Sequence, residues 1–107
     1  MIEKDLQSKC NKYLRDNGII YWHRQKGRTH KPISQNFLIL YNVKLKYPDL
    51  IIMPFNAYCF FVELKTDTGK LSEEQINFMK YSEIKGYDFY IVKSYDEFLE
   101  VMSKELK

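Results

Sequence analysis

No stretch of this sequence approaches the ~20 apolar residues of a membrane-spanning helix, and no N-terminal apolar run resembles a signal peptide. No membrane partner is expected, and the chain is expected in the cytoplasm. Cysteine is scarce. Cys10 and Cys59 lie far apart, with no C-x-x-C and no histidine at zinc spacing, so both are expected as small buried apolar residues. Four glycines and three prolines form no linker, and repeats and low-complexity segments are absent. The 107 residues therefore suit one domain spanning 1–107. What is present is ordinary globular composition, 45% hydrophobic and 29% charged, which excludes general disorder. Nine tyrosines and seven phenylalanines are mostly core material for so short a chain. A net charge of +3 is mildly basic and leaves many partners open.

The chain reads as a string of elements. Residues 3–17 form a helix, with Leu6, Cys10, Tyr13 and Leu14 at helical spacing and Asn17-Gly18 as its stop. Residues 19–25 are β-prone, and Lys26 to Pro32 break the pattern as a loop. Phe37 to Val43 can form a strand. Asp49 to Met53 is a short apolar strand, Pro54 to Ala57 a turn, and Tyr58 to Lys65 the returning strand. Ser72 to Lys85 is a helix with Ile76, Phe78, Met79 and Ile84 as its apolar positions, closed by Gly86. Tyr87 to Lys93 is a strand, and Ser94 to about Leu106 a last helix with Phe98, Leu99, Val101 and Met102 inward. The order αβββαβα predicts an α/β fold with a central mixed sheet flanked by helices.

One constellation carries chemistry. Side chains alternate along a strand, so Glu63 and Lys65 share a face while Val62 and Leu64 point to the other. In an antiparallel hairpin the start of one strand lies beside the end of its partner, which brings Asp49 next to Glu63 and Lys65. Two such carboxylates suit a hard divalent cation, which takes oxygen ligands in octahedral geometry, and the Leu64 backbone carbonyl is placed to join them. A cation held there would polarise a phosphate oxygen and acidify its bound water. Lys65 would orient or deprotonate that water, or stabilise charge building on the phosphorus centre. The competing reading is a structural ion pair at a sheet edge. Against it stand the apolar strand that the pattern ends, the Pro48-Asp49 that opens its neighbour, and the hairpin-length turn between them.

Pro48-Asp49 followed by Glu63-Leu64-Lys65 resembles the PD-(D/E)XK nuclease superfamily. The surrounding chain is similar to its virus-type replication-repair nuclease (VRR-NUC) family along nearly its whole length. The matching features are Glu3 opening the first helix, Tyr13-Leu14 and Gly18 near its end, a basic Gly27-Arg28 loop, and Gly69-x-Leu71-Ser72-x-Glu74-Gln75 after the E-x-K strand. The resemblance implies a restriction-endonuclease-like fold and magnesium- or manganese-dependent phosphodiester hydrolysis. It also implies Glu3, Asp49, Glu63 and Lys65 as active-site residues, Glu3 among the metal ligands, with Gln75 in support. Short stand-alone members look like Holliday-junction resolvases acting as homodimers on branched DNA; longer ones act on flap-like intermediates. The small size and the resemblance together suggest a phage or mobile element working in a bacterial cell. Where the family often has glycine before P-D, this chain has Tyr47, which allows less backbone freedom.

Several residues have second readings. Glu3 also fits as first-turn charge complementing the helix dipole. Gln75 also completes an S-x-x-Q capping box with Ser72, and Ser94 to Glu97 repeats that pattern. Arg24, Lys26, Arg28, His30 and Lys31 surround Gly27 and suit DNA phosphates, or a solvated loop. Lys70 and Lys44-Leu-Lys46 are further positives near the motif. His23 and His30 have no nucleophile to pair with, and Trp22 reads as core or interface rather than a base-stacking platform. Three functions compete: a resolvase-like endonuclease, a flap or end-processing nuclease, and a DNA-binding module without catalysis. The last predicts a damaged acid set, and this set is intact.

Overall fold

The computed structural model describes residues 3–23, 37–40, 43–55, 58–66 and 69–106, with residues 37–40, 43–45 and 55 described in backbone only. The first helix, α1, runs Glu3–Asp16 and buries Leu6, Cys10 and Leu14, one side chain per turn along a single stripe. It stops at Gly18, whose φ of +66° favours glycine. The Gly18 and Ile19 amides return to the Arg15 and Leu14 carbonyls, satisfying acceptors that the helix end leaves open.

Among the described residues, six strands follow in two sheets. β1 (Ile20–His23), β4 (Leu50–Phe55), β5 (Tyr58–Leu64) and β6 (Phe89–Val92) form a four-stranded sheet in the order β1-β4-β5-β6. β1 and β5 both run antiparallel to β4, while β6 runs parallel to β5, so the sheet is mixed as expected. The parallel step needs a crossover, and α2 (Glu73–Ile84) supplies it. α3 (Tyr95–Glu105) ends the described chain. Within this sheet and its helices the order is the expected αβββαβα. The addition is a separate hairpin of β2 (Phe37–Leu40) and β3 (Val43–Lys46), lying against α2, where one strand was expected over Phe37–Val43.

Two apolar layers clamp the sheet. On one face Leu50, Ile52, Phe60, Val62, Leu64 and Val92 meet Leu6, Cys10 and Leu14 of α1 and Phe98 and Met102 of α3. On the other, Phe61 packs edge-on against Phe78 of α2, with Tyr47, Ile51, Cys59, Tyr81 and Phe89 around them. Each fully buried Leu, Ile or Phe contributes about 1.5–3 kcal/mol of hydrophobic transfer. β5 is covered on both sides, which explains why it reads as an almost unbroken apolar run.

Three local expectations need correction. β4 continues through Pro54 and Phe55 instead of turning at Pro54, and its pairing slips between Ile52 and Phe55. Proline donates nothing to the ladder, so a register irregularity is where it fits. The expected turn residues Asn56 and Ala57 lie outside the described residues. In α2 the buried positions are Gln75, Phe78 and Ser82, whereas Ile76 and Met79 are half-buried and Ile84 is 81% exposed. Cys10 is buried but Cys59 only partly so. Among the described residues, no helix is long and apolar enough to cross a membrane.

Candidate active site

β5 carries one charge in its buried run. Glu63 is 1% exposed, flanked by Val62 and Leu64 at 0%. Burying a carboxylate is expensive, and an apolar residue of similar size would stabilise a purely structural strand better. Glu63 is therefore an unusual residue for a strand that serves packing alone.

Asp49 stands beside it. The β4–β5 register pairs Leu50 with Val62, so the residue before β4 falls opposite the one after Val62. Asp49 is 6% exposed, and its Oδ2 accepts the Leu64 backbone N–H at 2.7 Å. That bond closes the hairpin mouth and fixes the carboxylate beside Glu63. Asp49 lies just ahead of the strand rather than opening it, and Lys65 just past β5. The buried Pro48 precedes Asp49 and needs no donor there.

Backbone direction adds a third oxygen. A strand residue points its N–H and its C=O to the same neighbour. The Leu64 N–H faces Asp49, so its carbonyl is directed to the same side, while the Lys65 N–H turns the other way onto the Val92 carbonyl at 3.0 Å. Two carboxylates and a carbonyl are hard oxygen donors suited to magnesium, which keeps several waters and needs only one or two protein carboxylates.

The remaining expected residues sit as follows. Glu3 is half-buried in the first turn of α1. Among the described residues no group of three or more histidine, cysteine, aspartate or glutamate side chains could hold a metal ion, so Glu3 does not complete a cage with the pair. Gln75 is 4% exposed and capping: its Oε1 accepts the Ser72 N–H at 2.8 Å and its own N–H donates to Ser72 Oγ at 3.2 Å. Ser94 caps α3 through the Glu97 N–H, but the Glu97 carboxylate reaches the Lys93 amide rather than that of Ser94. Lys65 is half-buried and Lys70 exposed. Arg24, Lys26, Arg28, His30 and Lys31 lie outside the described residues.

Two contributors escaped the sequence reading. Cys10 is pushed up to about 12, first by burial and then by the Asp49 charge. Gly69 folds back on the end of β5, its N–H donating to the Thr66 carbonyl at 3.0 Å. A Cβ there would meet Thr66 Oγ1 at 3.1 Å and Lys65 Cδ at 3.4 Å, so glycine lets the loop lie on the lysine stem. The pairing of Cys10 with Asp49 had no sequence signal. Gly69 belonged to the matched motif, but nothing in the sequence showed what it packs on. Trp22, read as core or interface, is 38% exposed on the edge strand, which removes the core reading. His23 is half-buried, its Nδ1 3.5 Å from Asn11 Nδ2. A cavity of about 570 Å³ between β6 and α3, lined by Tyr90, Val92, Glu97, Val101 and Lys104 among others, contains none of the candidate residues.

Comparison with known proteins agrees with this fold. A solved structure described as a VRR_NUC domain superposes with a TM-score of 0.65 at 16% identity, covering 98% of this chain and 97% of that one, a likeness of fold. A comparison with curated proteins finds no match. The family model for the VRR-NUC domain matches residues 3–96, from the first turn of α1 into the start of α3, and spans every element that builds the hairpin mouth. The chain belongs to the VRR-NUC domain family, and is a nuclease-type domain of the restriction-endonuclease-like α/β fold.

Proposed function

We propose that this domain is a divalent-cation-dependent endonuclease that cleaves branched DNA, with Asp49, Glu63 and Lys65 as its working groups. The observation that carries the reading is the buried acid pair, with Asp49 tied by the Leu64 amide at 2.7 Å beside Glu63. Asp49, Glu63 and the Leu64 carbonyl would hold magnesium or manganese. A bound cation supplies polarisation of a phosphate oxygen and a more acidic water. The residues themselves do the rest. The Leu64 N–H keeps the Asp49 carboxylate oriented, so no reorganisation is needed when substrate arrives. Lys65 places an ammonium two residues beyond Glu63, where it offsets negative charge on the attacked phosphate. Glu3, in the first turn of α1, is assigned a supporting role by the family resemblance alone, because among the described residues it does not join the acid pair as a third ligand. Gln75 supports the site in this proposal by capping the start of α2 through Ser72.

Binding falls to the basic residues. Lys70 follows Gly69, whose loop lies on the Lys65 stem, and so presents a charge at the mouth of the site. Arg24, Lys26, Arg28 and Lys31 extend the phosphate contacts in this proposal. A homodimer would present two sites related by a two-fold axis, matching the pseudo-symmetry of a four-way junction.

The test incubates the protein and an Asp49→Asn control with magnesium and labelled four-way junction, flap, duplex and single strand. Paired nicks on opposite strands of the junction, absent in the control, are expected. Flap-only cleavage would replace resolution by end processing. Binding of all four substrates with no cleavage would remove the enzymatic reading.

A further inference from the structure

We propose that Trp22 and Tyr47 form a stacking platform for an unpaired nucleobase beside the acid pair. The inference rests on the nucleic-acid reading of the site and adds the feature of the substrate that the site recognises. Trp22 stands on the edge strand β1, 38% exposed, although it is the only tryptophan of a short chain that buries most of its large apolar residues. Its ring meets Tyr47 edge-to-face at 5.6 Å and 64°. Tyr47 leans in turn on Phe78 at 6.1 Å, and Phe78 on Phe61 at 5.1 Å. A continuous aromatic chain thus runs from solvent into the layer under α2. Phe61 and Phe78 are buried, Tyr47 is half-buried, and the outermost ring, Trp22, is 38% exposed.

Placement selects the occupant. Tyr47 is joined through Pro48 to Asp49, so the ring that Trp22 rests on and the acid sit on one short segment. Trp22 pairs with Ile51, and Ile51 with Phe61, a row shared by the face that carries Glu63. Two strand spacings of ~4.8 Å and one side-chain repeat of ~7 Å separate Trp22 from Glu63, on the order of 12 Å. At the ~3.4 Å rise per nucleotide of one strand, that is a span of about three to four nucleotides. A base that has left its stack near the cut phosphate lies within reach. Stacking on an aromatic face asks nothing of base identity, which suits a nuclease that selects shape over sequence. Flapped DNA offers unpaired bases at its branch point, and a four-way junction interrupts stacking where its arms meet, whereas plain duplex does neither.

Trp22 also supplies the probe, since no other indole contributes to emission. The wild-type protein is titrated, without magnesium and with a chelator, with a duplex carrying one unpaired thymine and with the same duplex carrying an abasic spacer there. Quenching is expected to be stronger with the thymine. By anisotropy of labelled duplex, Trp22→Ala should bind the thymine duplex about tenfold more weakly, Trp22→Phe should retain most of the affinity, and both should bind plain duplex as the wild type does. Equal quenching by the two duplexes, or unchanged affinity in Trp22→Ala, would overturn the platform. So would a shift of Trp22→Ala to a smaller species in sedimentation with its base preference intact, which would assign the ring to a second copy of the chain. Cleavage with magnesium is read separately on the same samples. Cleavage without selective quenching sinks the platform alone; selective quenching without cleavage keeps the platform and sinks the nuclease.

Discussion

Asp49 accepts the Leu64 backbone hydrogen bond, and this separates its shape from its charge. Asp49→Asn keeps an oxygen for the Leu64 N–H and loses the negative charge. Cleavage should fall by ~100-fold or more, while the melting temperature moves by only a few degrees; a large drop in melting temperature would mean that the carboxylate is structural. Cys10 gives a second prediction. Its thiol keeps its proton in the fold up to about 12, against an ordinary value near 9. Above pH 9 the unfolded chain releases that proton while the folded chain holds it, so stability falls as pH rises, by about 1.4 kcal/mol per pH unit until the folded value is reached. Alkaline denaturation should be less steep in Cys10→Ala, and native-state alkylation should label Cys59 before Cys10. Asp49 and Glu63 were legible because alternation and hairpin geometry need only local sequence. Trp22 was not, because its exposure depends on which strand becomes the sheet edge.

At the element scale, the loop from β5 to α2 and the end of α3 are the informative joints. Gly69→Ala pushes a methyl group to within 3.1 Å of Thr66 Oγ1 and 3.4 Å of the Lys65 stem. A loss in kcat at near-constant stability is expected; unchanged kcat would mean that the lysine stem yields freely. α3 is clasped by its last turn, where Tyr58 of β5 and Tyr90 of β6 both donate their hydroxyls to the Glu105 carboxylate. Burial and that carboxylate together hold both phenols well above their ordinary range. Glu105→Ala should cost about 1.5–3 kcal/mol in urea unfolding with cleavage retained after refolding. The sequence placed the helices well but misread the inner face of α2. Gln75 and Ser82 are buried there because each satisfies itself locally, Gln75 through the Ser72 cap and Ser82 Oγ by donating to the Met79 carbonyl at 2.8 Å. A hydrophobicity pattern has no access to such self-satisfied polar groups. The β2–β3 hairpin was missed for a related reason: Tyr41-Asn42, between its strands, carries neither glycine nor proline to announce a break.

For the molecule as a whole, charge decides affinity and topology decides where the site sits. A net charge of only +3 makes binding depend on local positives rather than on the overall field. Affinity for junction DNA should fall steeply and linearly on a log–log plot against salt, and Arg28→Ala should weaken all DNA substrates alike while lowering the slope by about one. A slope indifferent to the substitution would remove Arg28 from the interface. The mixed sheet was legible from element order, since one helix between β5 and β6 requires a parallel step. Which strand would lie at the edge was not, because β1 reaches β4 across a long intervening segment. That topology has a kinetic corollary. The Asp49–Leu64 bond belongs to the hairpin of β4 and β5, close in sequence, whereas β1 and β6 join through distant pairings that are slower to find. The acid pair should therefore be assembled on a nascent two-stranded ribbon before either flank docks, with the Leu64 amide among the earliest to resist hydrogen exchange as the chain collapses.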